Sequence, residues 1–253
     1  MTAPMPALRA GPNMSRRKTK PSVSKRLLRW AGFAVLAVLL VTWSPVLLLR
    51  WLEPPVTAFM LYQKQAGSQR AGYRYEWTDW RDLGTSIALA VMAAEDQRFP
   101  EHHGFDLGAI QDALIGRLDG KTLRGASTIT QQVAKNLFLW PGRSFIRKGI
   151  EAYFAALIEM TWSKQRILEV YLNIAEFGPS IYGVRAASRI YFGKYPAQLT
   201  DAESALLAAV LPNPKQLHAD RPSAYVRKRQ NWIMGHSERL RRRAWLARVS
   251  IPD

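Results

Sequence analysis

Twenty consecutive uncharged residues, Trp30 to Leu49 (WAGFAVLAVLLVTWSPVLLL), lie between Arg29 and Arg50. As a helix, a run of that length reaches about 30 Å, the thickness of a bilayer's hydrocarbon core. A cleaved signal sequence is the competing reading, but its apolar region would be shorter, about 7–15 residues, with small residues directly after it. Here Arg50-Trp51-Leu52-Glu53-Pro54-Pro55 follows, which favours an uncleaved anchor. Trp30, Trp43 and Trp51 suit interfacial positions. Pro45 is expected to kink the helix or end it early. Eight Lys or Arg and no acid precede the span, which sets the N-terminus in the cytoplasm. The ~200 residues that follow then lie outside, enough for one domain.

Charge sits at the ends. Residues 1–29 hold eight basic residues, and residues 221–253 hold nine against Glu238 and Asp253. Those two segments account for nearly all of the net charge of +17. A nucleic-acid binder would show a basic stripe within its folded domain. Basic ends suit an anionic membrane or an anionic, lipid-linked substrate, so no nucleic acid is expected. With no cysteine, disulfide scaffolds, thiolate metal sites and a cysteine nucleophile are excluded.

After the span the text is mainly helical. The apolar run from Ile87 to Ala94 ends in Glu95-Asp96, and residues 107–118, 131–139, 145–162, 164–175, 180–192, 200–212 and 222–245 read as helices. Thr200-Asp201-Ala202-Glu203 is a capping box. Residues 119–130 read as a polar loop, and 73–77 is the best strand candidate. The class is mainly α.

Four clusters carry chemistry. Glu95 closes a very apolar helix. Partly desolvated, such a carboxylate gains proton affinity and can act as a base near neutral pH; the plainer alternative is a solvated helix end. His102-His103 has no partner at ligand spacing, so a zinc site is not expected. The segment Gly125-Ala126-Ser127-Thr128-Ile129-Thr130-Gln131-Gln132 gathers hydroxyls and amides that suit sugar or phosphate oxygens, unless it merely caps a helix. No pattern around Ser127 supports a nucleophile. Lys135, Arg143, Arg147 and Lys148 follow, with Glu151 on the same helix face as the last two. That cluster reads either as an exposed ion pair or as a clamp for a diphosphate. A diphosphate leaving group needs neutralising charge, whereas hydrolysis between sugars needs a general acid on the leaving oxygen.

Taken in order, these segments resemble the monofunctional biosynthetic peptidoglycan transglycosylases of glycosyltransferase family 51. Glu95-Asp96-Gln97-Arg98-Phe99-Pro100-Glu101-His102-His103-Gly104 is similar to the family's Glu-Asp-x-x-Phe-x-x-His-x-Gly motif. The Gly125–Gln132 segment resembles the second motif, with Ala126 at a common glycine. Arg147–Glu151, Lys164–Asn173 and Ala202–Pro214 resemble three more, and the likeness runs from about residue 55 to 235.

The resemblance implies a lysozyme-like, mainly α glycosyltransferase domain with a smaller jaw lobe, preceded by one transmembrane helix. It divides the chain into a basic cytoplasmic tail (1–29), the helix (30–50) and a periplasmic domain (51–253, motif core 86–214), anchored once in the inner membrane. It implies polymerisation of lipid II into β-1,4 glycan strands with inversion and release of undecaprenyl diphosphate. Glu95 matches the base and Glu151 the second essential carboxylate. Asp96, Phe99, His102, Gly104, Ser127, Thr128, Gln131, Gln132, Lys135, Asn136, Arg143, Arg147 and Lys148 match substrate-binding positions. No cofactor is required by the resemblance, although some members use a divalent cation at the diphosphate, and no protein-held metal is expected. Expected partners are lipid II, the growing strand, the membrane and other cell-wall synthesis proteins. A lytic hydrolase on the same fold and a non-catalytic wall-binding protein are the alternatives. Leu137–Pro141 is a candidate for dipping into the bilayer, against ordinary core packing.

Overall fold

The computed structural model describes residues 23–65, 72–118, 127–142 and 144–250. Arg143, and Gly125 and Ala126 of the polar loop, lie outside the described residues. The chain divides into two compact units, Met1–Val41 and Thr42–Asp253.

Helix α1 runs Val23–Leu49. It begins seven residues before the uncharged span and continues through Pro45 instead of ending there. Its Arg29–Leu49 stretch is long and apolar enough to cross a membrane, and the protein covers almost none of it. In the first unit its described apolar side chains, Leu27 and those from Trp30 to Val41, stand exposed. The last turns belong to the second unit and are fastened there. Val46 is buried, Trp162 Nε1 donates to Val46 O at 2.8 Å, and Arg166 donates to Leu49 O and Leu52 O. These partners take up carbonyls at the C-terminal end of the helix.

The second unit continues with α2 (Ala58–Gln65), β1 (Arg74–Tyr75), α3 (Trp80–Leu83), α4 (Thr85–Glu95), α5 (Leu107–Leu118), α6 (Ile129–Phe138), α7 (Phe145–Thr161) and α8 (Lys164–Ile174). Next come β2 (Glu176–Gly178), β3 (Ile181–Tyr182), α9 (Val184–Phe192), a 3-10 turn (Pro196–Gln198), α10 (Asp201–Val210), α11 (Ala224–Arg242) and α12 (Trp245–Ser250). The expected mainly α class is what is seen.

Helix α4 is the axis. Ile87 to Ala93 are all essentially buried, as befits a helix that is apolar on every side. It packs against α10 and α11, while α6 packs against α7 and α8. Each fully buried Leu, Ile, Val or Met contributes about 1.5–3 kcal/mol. That wrapping fixes where Glu95, at the C-terminal end of α4, must stand.

One reading changes. Residues 180–192 are not one helix: β3 occupies Ile181–Tyr182, and α9 starts only after Gly183. Gly183 has φ +80°, and a Cβ there would lie 2.5 Å from Asn173 O, so the chain turns where only glycine fits. Strand β3 then pairs antiparallel with β2 and parallel with β1 (Arg74 opposite Ile181, Tyr75 opposite Tyr182). The basic C-terminal segment also carries a buried face opposite its exposed cations. Val226, Gln230, Ile233, Ser237 and Leu240 form a buried stripe on α11, and Trp245 and Val249 of α12 are buried too.

Candidate active site

Glu95 is the last residue of α4, and 13% of its side chain is exposed. Gln132 Nε2 donates to Glu95 Oε2 at 3.0 Å, and Tyr171 Oη donates to Gln132 Oε1 at 3.2 Å. The guanidinium of Arg229 stands 3.6 Å from Glu95 Oε1. Burial pushes the proton affinity of Glu95 up, while Gln132, Arg229 and Lys135 pull the other way. Burial prevails, as expected of a carboxylate at the end of an apolar helix. A cavity of about 310 Å³ opens beside it, lined by Glu95, Gln97, Asp112, Ser127 and Thr128 among others.

Glu151 lies in a different setting. Its side chain is 4% exposed and lies between two cations. Arg147 Nη1 donates to Oε2 at 2.7 Å, and Lys148 Nζ donates to Oε1. The Ser144 hydroxyl caps α7 by accepting from Arg147 N, which puts Arg147 and Lys148 in the first turn. Cations are disfavoured at a helix N-terminus unless an anion accompanies them. Glu151 offsets part of that cost, and the arrangement keeps a positive surplus suited to phosphate.

Two residues link the carboxylates. Lys135 on α6 feels both Glu95 and the Arg147–Lys148–Glu151 group, and burial lowers the proton affinity of its amine. Ser127, in the wall of the Glu95 cavity, accepts from Lys148 Nζ at 3.4 Å. Ser127 and Lys148 thus connect the Glu95 cavity to the cluster around Glu151, 56 positions further along the chain.

The other expected substrate-binding residues fall into two groups. Ser127, Gln132, Lys135, Asn136 and Lys148 line cavities or reach their walls. Asp96, Phe99, His102, Gly104, Thr128 and Gln131 are held mainly by contacts within the protein, with His102 Nδ1 left without a partner among the described residues. His102 Nε2 lies 2.9 Å from both carboxylate oxygens of Asp96, and Asp96 also accepts from Ile129 N. Phe99 is fully buried under the ammonium of Lys164, which itself binds His102 O and Glu159. Thr128 and Gln131 form the capping box of α6, and the Thr128 hydroxyl donates to Gly104 O. Gly104 has φ +84°, and a Cβ there would meet Glu159 at 2.9 Å. This first motif is a buried brace that holds the start of α6 against the end of α4. These residues support the site through contacts inside the protein, and Asp96 and Thr128 also reach the wall of the Glu95 cavity.

The motif Lys164–Asn173 is also largely a brace. Asn173 exchanges hydrogen bonds with both the N–H and the C=O of Thr78, and Glu169 accepts from Trp80 N. Among the described residues, no three His, Asp or Glu side chains gather to hold a metal ion. The groups around Glu151 are themselves cations, a donor set that does not fit a protein-held divalent metal.

Sequence reasoning missed Arg229 and Tyr171 as site residues. Arg229 was one cation in a basic run, Arg227-Lys228-Arg229. Its place beside the buried stripe Val226–Gln230–Ile233 was the signal that separated it from its neighbours.

The transglycosylase family profile matches residues 63–238. A biosynthetic peptidoglycan transglycosylase of Xanthomonas campestris pv. campestris (strain B100) is 48% identical over 224 residues, covering 87% of this chain and 91% of the relative. Proteins of the same description from Aeromonas hydrophila (49% over 215 residues, 85% and 92% covered) and Stutzerimonas stutzeri (50% over 228 residues, 88% and 91% covered) are equally similar. Profile, relatives and the wrapped glutamate helix agree: the chain belongs to the transglycosylase family.

Proposed function

We propose that the protein is a membrane-anchored, inverting peptidoglycan glycosyltransferase that polymerises lipid II into β-1,4 glycan strands. The observation that carries this reading is Ser127, which lines the cavity beside the buried Glu95 and accepts at 3.4 Å from Lys148, one of the two cations that clasp Glu151. Glu95 takes the proton of the acceptor sugar's 4-hydroxyl. The freed oxygen forms a bond to the donor's anomeric carbon while that carbon's bond to the diphosphate oxygen breaks. The leaving undecaprenyl diphosphate keeps the electron pair, and Lys135, Arg147 and Lys148 neutralise its charge, a stabilisation that needs no proton. Arg143, by its place in the sequence, joins them. Hydrolysis of a strand would need a carboxyl acting on the leaving oxygen. Both oxygens of Glu151 already accept from Arg147 and Lys148, which disfavours that reading.

The anchor fits a lipid-borne donor. In this reading α1 crosses the inner membrane once, with the basic N-terminus in the cytoplasm and the catalytic domain in the periplasm. The segment expected to enter lipid is redrawn. Leu137 and Leu139 are core residues, whereas Trp140, Phe145 and Ile146 are exposed, Phe145 almost completely. Those three form the better candidate for touching the acyl boundary. Incubating the full-length protein with labelled lipid II tests the function. Long strands are expected. Cleavage of preformed strands, or no change in either substrate, would overturn it.

A further inference from the structure

Among three consecutive cations on α11, Arg227, Lys228 and Arg229, only Arg229 turns toward the site. Its side chain is 23% exposed, against a largely solvated pair of neighbours. One terminal nitrogen donates to Ala94 O at 3.3 Å, a carbonyl in the last turn of α4, and stands 3.6 Å from Glu95 Oε1. Its Nε is buried without a hydrogen-bond partner among the described residues. Leaving a buried donor unpaired is costly, so the side chain is not placed there for its own hydrogen bonding. What it gains is proximity to the carboxylate and to the negative end of the α4 dipole.

We propose that Arg229 is the positioning residue that holds the Glu95 carboxylate ionised and aimed, acting through Glu95 without touching the reacting atoms. This rests on the assignment of Glu95 as the base. The groups facing Glu95 make the assignment specific. Asp96 beside it opposes ionisation and is itself engaged by His102. From α6 come Gln132, a neutral donor, and Lys135, which also lies in the field of Glu151, Arg147 and Lys148. From α8 comes the hydroxyl of Tyr171, whose hydrogen bond goes to Gln132. The acids of α10, Asp201 and Glu203, are taken up by Arg241 and Lys194. Arg229 is therefore the cation that, among the described residues, pairs with Glu95 and with no other carboxylate.

The sign follows directly. Removing a cation next to a base raises the base's proton affinity, so a larger fraction is protonated and inactive at a given pH. The full-length protein, Arg229→Ala and Arg229→Lys are compared for lipid II polymerisation across pH 5.5–9, with circular dichroism melts of each. Arg229→Ala is expected to lose about tenfold in rate near neutral pH and to recover toward wild type at alkaline pH, shifting the acidic limb upward. Arg229→Lys, which keeps the charge, is expected to restore most of that limb. A folded Arg229→Ala protein whose loss is the same at every pH, or that loses nothing, overturns the proposal while leaving the function intact. An inactive wild-type protein would instead overturn the function reading itself.

Discussion

Glu95 and Glu151 are the same side chain in two opposite settings. Glu95 ends an apolar helix and receives one neutral amide and one offset guanidinium, so burial decides its chemistry. Glu151 lies in the second turn of α7, and each of its oxygens is taken by a different cation. The first is prepared to gain a proton. The second is prepared to keep two positive charges in place. The difference teaches that a carboxylate's role here is written in what surrounds it, and the two can be told apart by how each responds to losing its charge.

The largest expected effect is at the base. Glu95→Gln is predicted to lower polymerisation by about 10²–10⁴-fold, the usual contribution of a general base. Because the folded protein raises this group's proton affinity, its stabilising contribution is fully present below the unfolded value and is lost as pH rises through the folded one. The uncharged Gln variant should therefore melt no lower than wild type at neutral pH. An active variant, or one that melts well below wild type, would erase the contrast with Glu151.

Glu151→Gln should behave oppositely in stability. It strands Arg147, which is mostly buried, and is expected to cost about 3 kcal/mol, seen as a lower denaturation midpoint, together with turnover. If the midpoint stays put, Glu151 is an ordinary surface partner.

Two lysines sharpen the comparison further. Lys148→Ala is predicted to reduce turnover more than Lys164→Ala, because Lys148 reaches Ser127 in the cavity wall, whereas Lys164 is bound to Glu159 and His102 O. Lys164→Ala should instead cost stability, about 1–3 kcal/mol from the partners it strands. Parallel rate and melting measurements on both variants separate these outcomes.

The smallest effect is expected at Tyr171→Phe. It removes the hydroxyl that orients Gln132 and should slow the reaction about fivefold, equivalent to a hydrogen bond of about 1 kcal/mol. A rate unchanged within error would mean that Gln132 is oriented without it.

Much of this was legible in the residues. The uncharged span, the apolar run into Glu95, the capping boxes and the pairing of Arg147, Lys148 and Glu151 all follow from local spacing, which periodicity reads well. Depth was not legible. Asp96, Phe99 and His102 stand in the same motif as Glu95, yet they brace the loop from inside, and motif identity carries no information about which side chain faces the cleft. The β2–β3 pair was hidden because strands of two or three residues leave no alternation to detect. Arg229 was masked by its basic neighbours, and the contact between α11 and α4 shows what its place beside the buried stripe serves.

The end of α1 has a practical consequence for anyone trimming the protein. Residues 42–52 look like the tail of an anchor, but they plug the domain. Val46 fills its interior, and the indole of Trp162 and the guanidinium of Arg166 close on the backbone there. A soluble version cut after Leu52 would expose that socket and leave both donors wanting, whereas a cut near Thr42 keeps the plug and sheds most of the grease.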